Sequence, residues 1–295
     1  ETVTGPDLRT PDEVEEAILC IGRVCRSTGH VRVGMGASRQ DVNVSVAGGR
    51  RVEIKGVPKA GLAPALVHGE AVRQVNLLAL RDKLHDRGMR EAAHIRVHHE
   101  DVTELLTDSP FDGFRAATWQ AEREARADAP GSDLEYGRGE FCVRAVALRD
   151  LGGTLDAATQ PGLSFAHELA GRIRVIACLD QQPTFLHDSQ WPDYEGSQRE
   201  LERLRGHLDC GGDDALIVLW GATEDTLTAA AEIRLRYIDA LDGVPNETRQ
   251  PKPDGSTDFE RILPGPDRMY PDTDSPPQAI TQDRVTRLQD TLPEA

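Results

Sequence analysis

The stretch from Ser38 to Lys55 constrains the fold most. Val42, Val44 and Val46 alternate with Arg39, Asp41, Asn43 and Ser45, and past Gly48-Gly49 the residues Val52 and Ile54 alternate with Arg51, Glu53 and Lys55. That period of two belongs to strands with one apolar and one polar face. Two such runs across a glycine pair predict a hairpin. Its register follows from keeping the faces matched, because a slip of one residue would turn every valine to water. A two-residue turn would set Val46 against Arg51 and mix the faces. A three-residue loop, Ala47-Gly48-Gly49, sets Ser45 opposite Arg51, Asn43 opposite Glu53 and Asp41 opposite Lys55, with glycine supplying the positive φ of a bulged turn.

The polar face has two readings. It is either a solvated sheet surface or a site. Asp and Asn are poor strand formers, and a merely solvated face more readily carries Thr, Lys or Glu. A carboxylate, an amide, a hydroxyl, two arginines and a lysine on one rigid surface suit phosphate and a hard metal ion. The residue chemistry alone leaves both readings open.

The run from Gly36 to Val57, GASRQDVNVSVAGGRRVEIKGV, resembles the cradle of the B and E subunits of tRNA-dependent amidotransferases, and most of all the E subunits of the archaeal glutamyl-tRNA(Gln) enzymes. Three further stretches carry the same resemblance in the same order: Glu1 to Asp7, Gly243 to Arg249 (GVPNETR), and Pro264 to Pro271 (PGPDRMYP). Between them, Gln160-Pro161-Gly162, Phe165, Glu168-Leu169-Ala170 and Arg172 resemble the insertion domain that the E subunits share with bacterial-type aspartyl-tRNA synthetases. The resemblance implies an α+β fold, a mixed or antiparallel cradle sheet interrupted by a smaller α+β insertion domain. The expected divisions are 1–138 (first segment of a kinase-like cradle), 139–242 (insertion domain, expected to fold on its own) and 243–295 (second segment of the cradle).

It also implies a chemistry. ATP phosphorylates the side-chain carboxylate of glutamate esterified to tRNA(Gln), and ammonia from an asparaginase-like glutaminase, the family's D subunit, displaces the phosphate. Family metal positions carry over to Glu1 and Asp41 as ligands for Mg2+ and as the catalytic pair. Arg39, Asn43, Ser45, Glu53 and Lys55 are the expected contacts of nucleotide or substrate. The family adds a histidine and another carboxylate from a segment that precedes Glu1, so this fragment by itself is expected not to transamidate. The alternative function is a non-catalytic tRNA-binding or adaptor module. Two convergent carboxylates argue against it, since they would repel RNA phosphates unless a cation sat between them.

The net charge of −16, from 50 acids against 34 bases, excludes bulk electrostatic attraction to RNA. Contact with tRNA then rests on local arginines such as Arg39, Arg50 and Arg51. Lysine occurs only at positions 55, 59, 83 and 252. An acidic surface so poor in lysine predicts salt adaptation; a Tm that fails to rise from low to molar salt would contradict it. No apolar run is long enough for a bilayer and no leader precedes the first helix, which points to an unexported, cytoplasmic protein without a membrane partner. Five cysteines lack C-x-x-C spacing and fit a reducing compartment. His98 and His99 would point to opposite faces of a strand, so a shared metal is not expected and solvation is.

Helices are expected from Thr10 as N-cap to Thr28, over Pro64 to Arg87, around Trp119 to Ala129, and over Ser164 to Arg172, Ser197 to Leu208, Glu224 to Leu241 and Thr281 to Leu292. Strands are expected at Val31 to Val33, Ala93 to Val97, Phe141 to Leu148, Arg174 to Leu179 and Ala215 to Trp220. A second hairpin is expected between Gly243 and Leu263, turning at Pro253-Asp254-Gly255. Strand polarity in the middle region cannot be read without pairings, and a doubly wound arrangement stays open. Gly34 to Ala37 precedes a strand and lacks a Gly-Lys-Ser/Thr ending, so a turn is preferred there to a phosphate loop.

Overall fold

The computed structural model describes residues 2–32, 34, 37–127, 140–263 and 279–291. Two units are distinguished, one running to Ile262 and one from Leu263. The described helix of the second is α7 (Gln282–Thr291), amphipathic, with Leu288 exposed. Glu1 and the Pro264 to Asp274 stretch lie outside the described residues.

Helix α1 (Pro11–Ser27) starts as predicted. Thr10 accepts from the Glu13 N–H, and the Glu13 carboxylate takes the Thr10 N–H at 2.9 Å, a reciprocal capping box. Val14 and Ile18 pack on an apolar cluster made of Val42, Val44, Ile54, Val57, Ala63 and Leu66. Four of those residues belong to strands β1 (Val42–Val44) and β2 (Val52–Ile54) or to the start of α2 (Ala63–Asp86), with Val57 just past β2 and Leu66 one turn into α2. The hairpin register is the predicted one, with Val42 against Ile54, Asn43 against Glu53 and Val44 against Val52. Gly48 takes φ +77°, and the Gly49 N–H bonds the Val46 carbonyl at 2.9 Å to close the turn. The ladder stops at Val42, before the expected pairing of Asp41 with Lys55.

One side chain ties the hairpin to α2. Gln74 donates to the Val44 carbonyl at 3.1 Å and accepts from the Val46 N–H at 3.2 Å, while its amide also reaches Glu70. Gln74→Ala would leave those hairpin groups without their partner in a buried place, so a loss of about 1–3 kcal/mol in urea unfolding is expected. An unchanged midpoint would show that the valine face alone holds the hairpin.

Strand β2 pairs in parallel with β7 (Glu247–Pro251), and β7 pairs antiparallel with β8 (Thr257–Ile262), giving a mixed sheet in the order β1-β2-β7-β8. Everything from α2 to α6 (Thr223–Asp242) lies between two neighbouring strands of this sheet. The second sheet has the order β3-β4-β6-β5, from Val97–Asp101, Phe141–Leu148, Ala215–Ala222 and Leu186–His187. All its pairings are antiparallel, which settles the open polarity against a doubly wound domain. Helix α4 (Phe165–Ile176) and α6 cover one face through Phe165, Leu169, Ile173, Ile233 and Tyr237. Helix α5 (Ser197–His207) and the segment Val102 to Phe114 cover the other. Helix α3 (Ala116–Ala127) follows that segment.

The boundary expected at 138/139 lies outside the described residues, but the described parts of the segments expected as separate share a sheet and a core. Val97–Asp101, ahead of the expected insert, forms the edge of its sheet. Val52, Leu77, Leu80, Leu84 and Ile95 share one core with Val146, Ile217 and Ile233 inside it.

Three strand assignments differ. Val31 and Arg32 are irregular, and Val33 lies outside the described residues. Ala92–His94 is a turn of 3-10 helix, with the strand beginning only at Val97. Arg174 to Leu179 reads as strand because of its β-branched residues, yet α4 continues to Ile176. Leu169, Ile173 and Ala177 recur every four residues into the core, and that burial overrides local propensity. No described helix is long and apolar enough to cross a membrane.

Beneath the first sheet lies a cluster of buried charges. Arg73 of α2 donates to Glu168 of α4 at 2.9 and 2.8 Å, to Glu70 at 3.1 Å, and to Glu247 of β7. Arg249 of β7 reaches Glu168 at 3.2 Å through both terminal nitrogens and Glu247 at 2.9 Å. Arg236 of α6 sits 3.6 Å from Glu168 and over the Phe165 ring. Three arginines thus balance three glutamates, each side chain at most 3% exposed. Burial opposes ionisation of Glu168, but Arg249 and Arg73 outweigh it and hold its carboxyl well below the usual range.

Candidate functional site

Asp41 sits where the chain enters β1. Its Oδ1 accepts the Gly56 N–H at 2.7 Å and Arg39 Nε at 2.9 Å. Gly56 can present that N–H because its φ is +66°, a turn that side-chain-bearing residues resist. Partial burial opposes the Asp41 charge, but the Gly56 N–H, Arg39 and Lys55 together push its pKa below the ordinary value. The carboxylate is therefore ionised at neutral pH. With both bonds on Oδ1, Oδ2 is the oxygen available to a cation.

Lys55 does not pair with Asp41. Its ammonium lies 3.2 Å from Glu53, its neighbour two residues back on the same face, and both side chains are largely covered, at 16% and 21% exposure. Asp41 takes Arg39 as its ion-pair partner instead, because the ladder ends at Val42 and the backbone turns at Gly56. Asn43 stands opposite Glu53 as predicted. Ser45 continues the exposed face toward the turn. The structure thus brings Arg39 to Asp41 and Lys55 to Glu53, with Asn43 across from Glu53. Glu1 lies outside the described residues.

Two residues join this face that the sequence pattern did not reveal. Parallel pairing sets Thr248 beside Glu53. A bulge in the β7–β8 ladder opposes Thr248 to Arg261 and Arg249 to Phe259, which leaves Glu260 as the extra residue. The Thr248 hydroxyl donates to Glu260 at 2.6 Å. The negative charges of Glu260 and Glu53 add to that of Asp41 in raising the pKa of Arg39. The signal was partly present, since Thr248 lies in the Gly243 to Arg249 stretch. Nothing local, however, shows which strand that stretch joins.

On this surface Asp41, Asn43 and Ser45 are exposed, while Glu53, Lys55 and Thr248 are largely or wholly covered. A cleft of about 780 Å³ lies elsewhere, between Arg87, His94, Arg96, Asp150 and Asp213, and contains none of the candidate residues. The donor set at the hairpin is oxygen-rich, which suits magnesium and not a soft metal. Among the described residues no three His, Cys, Asp or Glu side chains converge as a metal cage. Magnesium does not require one, since it is commonly held by one or two carboxylates together with substrate phosphates. Asp41 fits that role as a single ligand.

His98 and His99 point to opposite sides of β3 and are both exposed, as expected, each with a polar neighbour. Glu100 lies 2.8 Å from His98 Nε2 and 3.0 Å from His207, while His99 lies 3.4 Å from Arg144.

Residues 1–286 match the family described as the GatB/GatE catalytic domain. The E subunit of glutamyl-tRNA(Gln) amidotransferase from Methanopyrus kandleri is 38% identical over 296 residues, covering 100% of this chain and 42% of that protein. The corresponding protein of Saccharolobus solfataricus is 35% identical over 297 residues, and that of Pyrococcus furiosus 34% over 294 residues, each covering all of this chain and 43% of the relative. The chain therefore spans about two fifths of the length of these relatives. With a match that takes in all four strands of the hairpin's sheet, the chain belongs to the GatB/GatE catalytic domain family.

Proposed function

We propose that the full-length protein to which this chain belongs converts Glu-tRNA(Gln) to Gln-tRNA(Gln), and that the polar face of the β1–β2 hairpin is where phosphoryl transfer from ATP to the glutamate side chain is managed. The observation that carries this reading is the gathering on one face of an ionised carboxylate, Asp41, held by Arg39 and the Gly56 N–H, and of a second cation, Lys55, held by Glu53. Two anions must meet in the first step, a nucleotide and a carboxylate, so cations have to offset their repulsion. Arg39 and Lys55 would hold phosphate oxygens, Arg39 with its planar fork and Lys55 as a point charge. Asn43 and Ser45 would orient polar groups of substrate or nucleotide as neutral donors. Asp41 would hold magnesium through Oδ2, and the ion would supply neutralisation of phosphate charge. Glu53 keeps Lys55 in place. Ammonia for the second step would come from the asparaginase-like glutaminase partner, the D subunit, after which phosphate leaves.

The names of the relatives support the transamidation class, and the geometry supports the placement of the first step. The test is ATP consumption by the full-length protein on Glu-tRNA(Gln) against uncharged tRNA, with and without the glutaminase. Glutamate-dependent ADP release that precedes amide formation is the expected result. Tight binding of tRNA without ATP turnover would replace this reading with an adaptor.

A further inference from the structure

Six buried charges under a sheet are costly to desolvate, and apolar residues of the same volume would commonly serve stability as well. Their arrangement indicates another use. Glu168 stands at the centre, taking both Nε and Nη2 of Arg73 and both terminal nitrogens of Arg249. Arg249 in turn has its Nε on the Thr257 hydroxyl at 2.9 Å and one Nη on the Thr257 carbonyl at 2.8 Å. That guanidinium is fixed on all sides. Its own main chain meets the hairpin, because the Lys55 N–H donates to the Arg249 carbonyl at 2.8 Å. The parallel ladder between β2 and β7 comprises only Glu53 with Thr248 and Ile54 with Arg249.

We propose that Glu168 is a positioning residue for the phosphoryl-transfer face: by fixing Arg249 it sets β7 against β2, and so sets where Glu53 and Lys55 stand. The inference rests on the proposed function and adds a residue that touches neither nucleotide nor substrate. A bidentate guanidinium–carboxylate pair fixes both distance and orientation, which an apolar contact does not. The parallel ladder is too short to resist sliding by itself, so the register of the site depends on the anchor. Glu168 comes from α4, between β2 and β7 in the chain, so the middle of the chain thereby sets the geometry of a site built from the segments on either side of it.

The test uses the full-length protein in its complex, with ammonium as nitrogen donor so that glutaminase activity does not limit the rate. Glu168→Gln keeps the volume and removes the charge. Glu232→Gln is the control, since Glu232 accepts Arg172 Nε at 2.8 Å in a comparably covered pair between α4 and α6, with no bond to β7. At a temperature where both variants are folded by circular dichroism, Glu168→Gln is expected to lower kcat about tenfold or more with KM for ATP nearly unchanged, and Glu232→Gln to leave both near wild type. Wild-type kcat in folded Glu168→Gln, or an equal fall in Glu232→Gln, overturns the inference. If Glu168→Gln does not fold, Arg249→Lys, which keeps the charge and gives up the fork, is judged by the same criteria. Asp41→Asn in the same assay separates the two levels. Collapse there with normal turnover in Glu168→Gln removes this inference alone, whereas normal turnover in Asp41→Asn removes the site assignment and the inference with it.

Discussion

Asp41→Asn in the full-length protein is expected to reduce Gln-tRNA(Gln) formation by about a hundredfold or more while leaving thermal unfolding nearly unchanged. The two halves of this expectation have separate physical origins. For folding, Asn keeps an oxygen at Oδ1, so the Gly56 N–H at 2.7 Å retains its acceptor and the turn after β2 survives. The lost ion pair is with Arg39, which is 60% exposed, and so exposed a pair is screened by water and adds little to stability. For activity, the substitution removes the charge that would hold a divalent cation beside the phosphates, and a neutral amide oxygen is a far weaker ligand. Excess magnesium should restore part of the rate. The measurement is a magnesium titration of turnover run beside a melt of each protein; wild-type turnover at limiting magnesium would discard the metal role, and a large fall in Tm would return Asp41 to a structural one.

What the sequence made legible at this site, and what it did not, follows from the range of the forces involved. The hairpin register was readable because alternation of Val42, Val44, Val52 and Ile54 leaves one pairing that buries them all. The capping box at Thr10 and Glu13 was readable because it is local. The partner of Asp41 was not. Extending the ladder by one more pair pointed to Lys55, but a positive φ at Gly56 ends the strand and Arg39 folds back from two residues away. That Thr248 and Glu260 stand beside this face was hidden for a different reason. Their place depends on a parallel pairing between strands separated by the whole middle of the chain, and on a bulge that sequence patterns do not announce. The buried cluster fell in the same class. Glu70, Arg73 and Arg236 look like ordinary surface charges in sequence, Glu168, Glu247 and Arg249 stand out only as members of resembling stretches, and only the closing of α2, α4, α6 and β7 on one another makes them a core. The expected independence of the middle segment meets the same obstacle. Its sheet borrows Val97–Asp101 and its core borrows Leu77 and Leu80, so excision would expose apolar surface on both sides of the cut.

The cluster also carries the largest expected effect on stability. Arg73→Met should destabilise the protein by roughly 3–5 kcal/mol, the usual cost of breaking a buried ion pair on one side. Arg73 bonds three carboxylates at once, and without it two arginines face three glutamates in a place that water does not reach. At about 2–4 °C per kcal/mol for a chain of this class, Tm should fall by on the order of 10 °C. Arg236→Met makes the comparison sharp. Arg236 lies 3.6 Å from its nearest carboxylate oxygen, its Nη1 and Nη2 bond no described group, and burial pulls its pKa down. Removing it takes away an attraction but also two costly orphan donors, so its loss should be at most about half that of Arg73→Met. Equal losses would mean that the cluster works by net charge alone and not by its hydrogen bonds. The pH dependence supplies an independent check. Glu168 is held below its ordinary value of 4.5, so its contribution is complete above that pH and is lost as pH falls through the depressed folded value. In Arg73→Met that depression is smaller, so the gap between wild type and variant should narrow as pH drops below about 4.5. A gap that stays constant from neutral pH into acid would show that lost packing of the arginine stem, rather than its charge, is what the protein misses.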